Sequence, residues 1–156
     1  MTVIDLMSLC AFNATYAQTI DSGALELWPA FFCEQCKYRI TNFENERDGL
    51  PAGIVYADSR AMLEDRIAAL REANIYEAHR YRHLLGIPLV ESADDKGAVA
   101  RTPFIVARIM HTGETSLFVT GEYVDRFEFT SGKLLLAERV AVCDSTVTDT
   151  LLALPL

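Results

Sequence analysis

Two spaced pairs and one charged stretch hold the side chains of this sequence that could do chemistry. Cys33 and Cys36 form CEQC, a spacing that suits half of a zinc site or a redox pair. The other half is missing: Cys10 and Cys143 stand alone, with no second Cys-x-x-Cys or paired His/Cys motif, so two incidental thiols are the plainer reading. His79 and His83 are four apart, which on a helix would put both imidazoles on one face to grip a metal. Their neighbours argue against a helix, because His79, Tyr81 and His83 alternate with Arg80 and Arg82 at the period of a strand. On a strand the two histidines share a face with Tyr81 but lie about 13 Å apart, too far for one ion held at roughly 2 Å. The charged stretch offers Asp65, Arg66, Arg71, Arg80 and Arg82, to which Glu138 and Arg139 add later. In a pocket, Asp65 or Glu138 would serve as a general base with a raised pKa beside Tyr81 or His83. Carboxylates and arginines balance there, which favours a solvated helix face with an ion-pair network. The sequence holds no glycine-rich phosphate loop, nucleophile elbow or other complete catalytic signature.

The helix that must carry Asp65 begins after Asp58 and Ser59, whose side-chain oxygens can accept its first amides. Leu63, Ile67, Leu70 and Asn74 follow at spacings of four, three and four, an apolar face that Asn74 closes. After Glu77 the helix hands over to the strand of His79, Tyr81 and His83. Upstream, Leu6, Leu9, Ala14, Ala17 and Ile20 suit a helix from Thr2 to about Ser22, with Gly23 able to take the left-handed stop. ALELWPAFF reads as a second, short helix that Pro29 limits or kinks, with Leu25, Trp28, Phe31 and Phe32 facing one way. Cys36 to Asn42 alternates like a strand, FENERDG reads as a loop, and GIVYAD is a brief apolar piece.

Long strands fill the rest. They run from about His79 into GIPLVES, over TPFIVARIMH, over SLFVTGEYVDRFEF and over KLLLAERVAVCD, with turns at ADDKG, HTGE and SG. Helices first and an antiparallel meander afterwards predict an α+β domain whose curved sheet wraps over N-terminal helices. The closing STVTDTLLALPL keeps four leucines. Such an apolar end either folds back onto its own sheet or docks on a partner subunit.

The totals bound the partners. At 156 residues, 51% hydrophobic and 23% charged, the chain fits one folded domain over residues 1–156 rather than disorder. A formal charge of -8 without any basic cluster argues against nucleic acid. MTVIDLMSLCAF has an aspartate inside its apolar stretch and no basic region before it, and the apolar runs are short. Neither a signal peptide nor a membrane span is expected, and the four cysteines read as reduced thiols of a cytoplasmic protein.

ALELWPAFF followed by CKYRITN, the helix MLEDRIAALREANIYEAHRYRH, and the late GEYVDRFEF and LLLAERVAVCD carry a family resemblance. From about Ala11 onward the chain resembles the small, or beta, subunit of the Rieske non-haem iron aromatic-ring-hydroxylating dioxygenases. The resemblance implies a cystatin-like, NTF2-like cone: an α+β fold with N-terminal helices packed in a strongly curved antiparallel sheet. It implies assembly of three such chains with three large (alpha) subunits, and transient work with a reductase. It places the Rieske [2Fe-2S] cluster and the mononuclear Fe(II) in the large subunit, with NADH acting through the reductase, and no metal, cofactor or catalytic residue in this chain. The role expected here is structural, and Thr146, Leu151, Leu152, Leu154 and Leu156 of the tail are its candidate subunit contacts. Cones of this kind also occur as free-standing dehydratases and isomerases with an acid, a tyrosine and a histidine under the sheet. In that alternative Asp65, Tyr81 and His83 take those parts.

Overall fold

Helices and two strands share the first half of the chain, five strands follow, and the sheet curls over the helices. The structure is a computed structural model that describes residues 4–50, 53–73, 78–146 and 152–156. Helix α1 spans Leu6–Asp21, starting later than its apolar spacing predicts because Asp5 caps it. Asp5 Oδ1 accepts the Ser8 N–H at 2.8 Å while Ser8 Oγ accepts the Asp5 N–H at 3.0 Å. Gly23, at φ +81°, ends it: Gly23 N–H bonds to the Ile20 carbonyl at 3.0 Å and Ala24 N–H to the Thr19 carbonyl at 3.1 Å. The buried face is Leu9, Asn13, Tyr16, Ala17, Ile20 and Asp21, whereas Leu6 and Ala14, expected on it, are exposed. Two polar residues on a core face require partners there.

A 3-10 helix, Leu25–Phe31, accommodates Pro29, and Phe32 leaves it as the first residue of strand β1, Phe32–Asn42. FENER, expected as loop, forms the short helix α2, Phe43–Arg47, because the Asn42 side chain accepts the Asn45 N–H at 2.9 Å. Strand β2, Val55–Ala57, pairs with β1 and delivers the chain to helix α3, Arg60–Ala73. Ser59 Oγ accepts the Met62 N–H at 3.2 Å, the expected start signal. Leu63 and Ile67 are buried and Leu70 packs against the core, as their spacing predicts. Asn74 lies outside the described residues.

The remaining strands are β3 His79–Leu85, β4 Leu89–Ala93, β5 Gly97–Met110, β6 Thr115–Thr130 and β7 Lys133–Cys143. The strand expected from His79 into GIPLVES is two pieces, both on β5: β3 on its Phe104–Met110 end and β4 on its Ala98–Arg101 end. Between them Pro103 has no N–H for the ladder, and Gly86 N–H bonds to the Pro103 carbonyl at 2.8 Å. A Cβ at Gly86 would lie 2.5 Å from Pro103 Cγ, so glycine is what lets the two segments pass.

The sheet order is β2-β1-β7-β6-β5-β3, with β4 also on β5. Every pair is antiparallel except β1 with β7, which run parallel. The sheet is therefore mixed, not wholly antiparallel as expected, because the last strand returns beside the first. Register shifts interrupt β1–β7, β4–β5, β5–β6 and β6–β7, and bulges of this sort bend and twist the strands that carry them. The result is the expected cone-like α+β fold, with α1, the 3-10 helix and α3 in the concavity.

The interior is aromatic. Trp28, Phe32 and Tyr38 meet edge-on at 5.0 to 5.7 Å, an arrangement that suits ring quadrupoles. The bulge opposite Ala107 turns Phe118 inward, where it stacks on Tyr81 at 5.3 Å. Leu152, Leu154 and Leu156 complete this core at 4%, 7% and 0% exposure. Of the two courses open to this apolar segment, these leucines take the fold-back onto the chain's own interior, where tyrosine hydroxyls meet the Leu156 main chain. Thr146 is exposed, and Leu151 lies outside the described residues.

Candidate functional site

The polar residues that α1 buries meet partners on the inner face of the sheet. Arg139 on β7 forks onto Asp125 on β6: Nε donates to Oδ1 and Nη2 to Oδ2, both at 2.8 Å, with both side chains at 0% exposure. Nη2 also donates to Asn13 Oδ1 at 2.7 Å, and Asn13 Nδ2 donates to Thr102 Oγ1 at 3.3 Å. The guanidinium lies between two rings, 4.2 Å from the Tyr16 centroid and 4.0 Å from that of Tyr123. Burial works against its charge, yet the Asp125 carboxylate and the two phenols beside it hold the Arg139 pKa above its ordinary value. Each carboxylate oxygen receives its own N–H, the match of an ionised pair.

Tyr16 and Tyr38 stand above this fork and hold the tail. Tyr16 donates to the Leu156 carbonyl at 2.8 Å and Tyr38 to the same oxygen at 3.1 Å. The Tyr38 oxygen also accepts the Leu156 N–H at 3.0 Å, and Arg66 Nη2 donates to the Leu152 carbonyl at 3.3 Å. Burial pushes the Tyr38 and Tyr123 phenols well above their ordinary value, and raises Tyr16 against the pull of Arg139. These hydroxyls stay protonated, and those of Tyr16 and Tyr38 act as donors.

The second polar cluster contains His83. Its Nδ1 lies 2.7 Å from Asp21 Oδ1, and its main-chain N–H donates to Asp21 Oδ2 at 2.9 Å. The carboxylate accepts from Nδ1 and orients the ring. Nε2 is buried and finds no hydrogen-bond partner among the described residues. A cavity of about 370 Å³ opens nearby, lined by Cys10, Ala14, Gln18, Leu85 and Ile87 with Asp21 and His83. The His83 side chain is itself fully enclosed, so the cavity does not expose it to solvent.

Of the trio Asp65, Tyr81 and His83, the structure brings together only two. Tyr81 and His83 adjoin on the inner face of β3 with ring centroids 6.1 Å apart, and His79 lies 5.4 Å beyond Tyr81. Asp65 is exposed on α3, away from them. The acid that meets His83 is Asp21, the last residue of α1, which the sequence reading did not single out as a site residue. Its burial could have been sensed from its place one residue after Ile20 on the core face. Asp125, also missed, alternates with Tyr123 and Phe127 on an inward-facing period, and that was its available signal.

Cys33 and Cys36 are buried in β1 as free thiols. Burial pushes Cys36 up to about 11, and Cys33 also rises, with Glu128 Oε2 3.8 Å from its sulfur. Neutral thiols of this kind are poor nucleophiles and poor ligands. Among the described residues no three His, Cys, Asp or Glu side chains gather where they could share a metal ion. A Rieske cluster or a mononuclear iron does not fit the donors that the described residues bring together. No helix among the described residues is long and apolar enough to cross a membrane.

Outside the cone, the sheet carries apolar side chains on its solvent face. Leu84, Ile87, Leu89 and Leu117 are exposed, and Ile105, the register partner of Leu84, is exposed beside them. Leu117 faces Ala107, two residues along β5 from Ile105.

Comparison with known proteins extends these observations. Residues 3–140 match the SnoaL-like domain family. The chain is 62% identical over 154 residues to the terephthalate 1,2-dioxygenase terminal oxygenase component subunit beta 1 of Comamonas sp, covering 99% of this chain and 100% of that protein. It is 36% identical over 142 residues to the anthranilate 1,2-dioxygenase small subunit of Burkholderia cepacia, covering 90% and 88%. A crystal structure named as the beta subunit of an aromatic-ring-hydroxylating dioxygenase from Novosphingobium aromaticivorans superposes with a TM-score of 0.88 at 36% identity, covering 97% and 96%.

Proposed function

The chain belongs to the SnoaL-like domain family and, within it, to the beta subunits of aromatic-ring dioxygenases; from that premise we propose that it serves a terephthalate 1,2-dioxygenase. In this reading it is the non-catalytic small subunit of the terminal oxygenase component. The observation that carries it is 62% identity along essentially the whole of both chains, against 36% to the anthranilate enzyme's small subunit. An interior closed by the chain's own side chains supports a structural role, since the cone leaves His83 enclosed and the tyrosines engaged with the tail.

The partner is a large subunit that holds the Rieske cluster and the mononuclear Fe(II), three of each chain forming the assembly. A reductase brings electrons from NADH, and the assembly cis-dihydroxylates terephthalate with O₂ in the cytoplasm. The small subunits stabilise the arrangement in which one large subunit's cluster serves the next one's iron, as binding to the assembled state must. The free-standing dehydratase or isomerase reading loses Asp65 as its acid, because that residue is exposed on α3, and the acid that does meet His83, Asp21, is enclosed with it.

The test is reconstitution. The chain is expressed with and without its large subunit, and both are assayed with reductase, NADH and either terephthalate or anthranilate. Terephthalate-dependent NADH consumption by the complex alone is expected. Turnover by the isolated chain, or full assembly and activity of the large subunit without it, would overturn the subunit role; preference for anthranilate would overturn the substrate.

A further inference from the structure

Residues 152–156 lie inside the cone without belonging to its sheet. They form no helix and no strand, so no main-chain ladder ties them to the elements around them. What holds them is a set of side chains. Leucines 152, 154 and 156 are buried, and Leu156 is gripped at both main-chain groups: its N–H goes to the Tyr38 oxygen, and its carbonyl takes the hydroxyls of Tyr38 and Tyr16. Arg66 on α3 holds the other end through the Leu152 carbonyl. Two hydroxyls aimed at one carbonyl, with apolar walls around an alternating series of leucines, is the construction of a peptide-binding groove.

The walls carry donors that the tail does not use. Tyr123 Oη and Arg139 Nη1 are buried without partners among the described residues, and the Tyr123 ring is 6.2 Å from that of Tyr16. Unspent donors against the ring of the clamping Tyr16 mark a site with more polar capacity than its present occupant takes up. All strand pairings of the sheet involve residues before 144, so removing the tail leaves every ladder in place.

We propose that the cone encloses a binding site for a short apolar peptide, read at its main chain by the Tyr16 and Tyr38 hydroxyls, and that residues 152–156 fill it in cis as a removable plug. This holds whatever assembly the chain joins, so its test and that of the subunit role fail separately.

A chain shortened by residues 152–156 is compared with the full chain by circular dichroism and titration calorimetry, using the synthetic peptide Leu-Ala-Leu-Pro-Leu. The shortened chain keeps its strand signal, binds one peptide and gains thermal stability from it, while the full chain binds none. Tyr38→Phe in the shortened chain weakens binding about tenfold or more, as loss of a buried two-way hydrogen bond should. A folded shortened chain that ignores the peptide, or a full chain that binds it equally, overturns the proposal. Native-state hydrogen exchange on the full chain decides the matter if the shortened one does not fold. The Leu156 amide then exchanges by local release, at least about 100-fold faster than the β5–β6–β7 ladder amides. Protection equal to those ladders overturns the plug.

Discussion

Arg139 shows how one residue organises the inside of this cone. Its guanidinium satisfies Asp125, reaches Asn13 on α1 and lies against Tyr16 and Tyr123, so it joins helix and sheet through groups that cannot reach water. Removing one member of a buried pair leaves the other charged and alone, which costs about 3 to 5 kcal/mol, whereas replacing both by apolar residues of similar size is often neutral. Arg139→Ala is therefore expected to lose about 3 to 5 kcal/mol in urea unfolding, and Arg139→Met with Asp125→Leu to lose much less. Equal losses in the two variants would show that the pair does not act as a unit. Sequence reading placed Arg139 in an ion-pair network, but with Asp65 and Glu138 nearby in its account rather than Asp125. The same happened at His83, whose partner is Asp21. Charge balance says that pairs exist. Which carboxylate meets which cation depends on strand register and helix docking, and neither is written in local spacing.

Elements were more legible than partners. Period-two alternation located β3 and most of β1, turn residues between long apolar runs located β5, β6 and β7, and the spacing of Leu63, Ile67 and Leu70 located α3, because burial on one face imposes such patterns directly. Neighbours across the sheet impose no period, so the parallel pairing of β1 with β7 could not be read. The break between β3 and β4 did have a local signal, Gly86 and Pro88, while its contact with Pro103 on β5 did not. Gly121 gives this close packing a measurable consequence. It sits in β6 where a Cβ would come within 2.3 Å of the Val142 carbonyl oxygen on β7 and 2.8 Å of Phe104 Cζ. Main-chain atoms in a paired strand cannot step aside cheaply, so Gly121→Ala should destabilise by about 1 to 3 kcal/mol despite adding a single methyl group. Thermal unfolding monitored by circular dichroism measures it, and an unchanged midpoint would mean that β6 and β7 separate more readily than their register implies.

At the scale of the whole molecule, the tail folds back onto the core and a separate apolar surface lies on the sheet. The tail's leucines serve the interior, and the exposed apolar side chains lie on the outer face of β3, β5 and β6, where Leu84 and Ile105 are register partners and Leu117 follows two residues along. The sequence could not settle this, because a leucine at an outward strand position and a leucine in the tail look alike until the inward face of β3 is known. A contiguous apolar patch on a chain of net charge -8 is what a partner surface requires, since elsewhere like charges would keep copies apart. Charging that patch separates assembly from folding. Leu84 and Leu117 are 63% and 66% exposed, so Leu84→Glu with Leu117→Glu should leave the unfolding midpoint of the isolated chain nearly unchanged. Burying two carboxylates against the large subunit should nevertheless weaken association at least tenfold, seen as loss of co-elution in gel filtration at micromolar concentration and a matching fall in oxygenase activity. Truncating the tail acts through the interior, whereas this variant acts only through the surface. Unaltered co-elution of the double variant would move the large-subunit contact off this face and towards the β2 edge, where Phe43, Ile54 and Tyr56 are the exposed apolar residues.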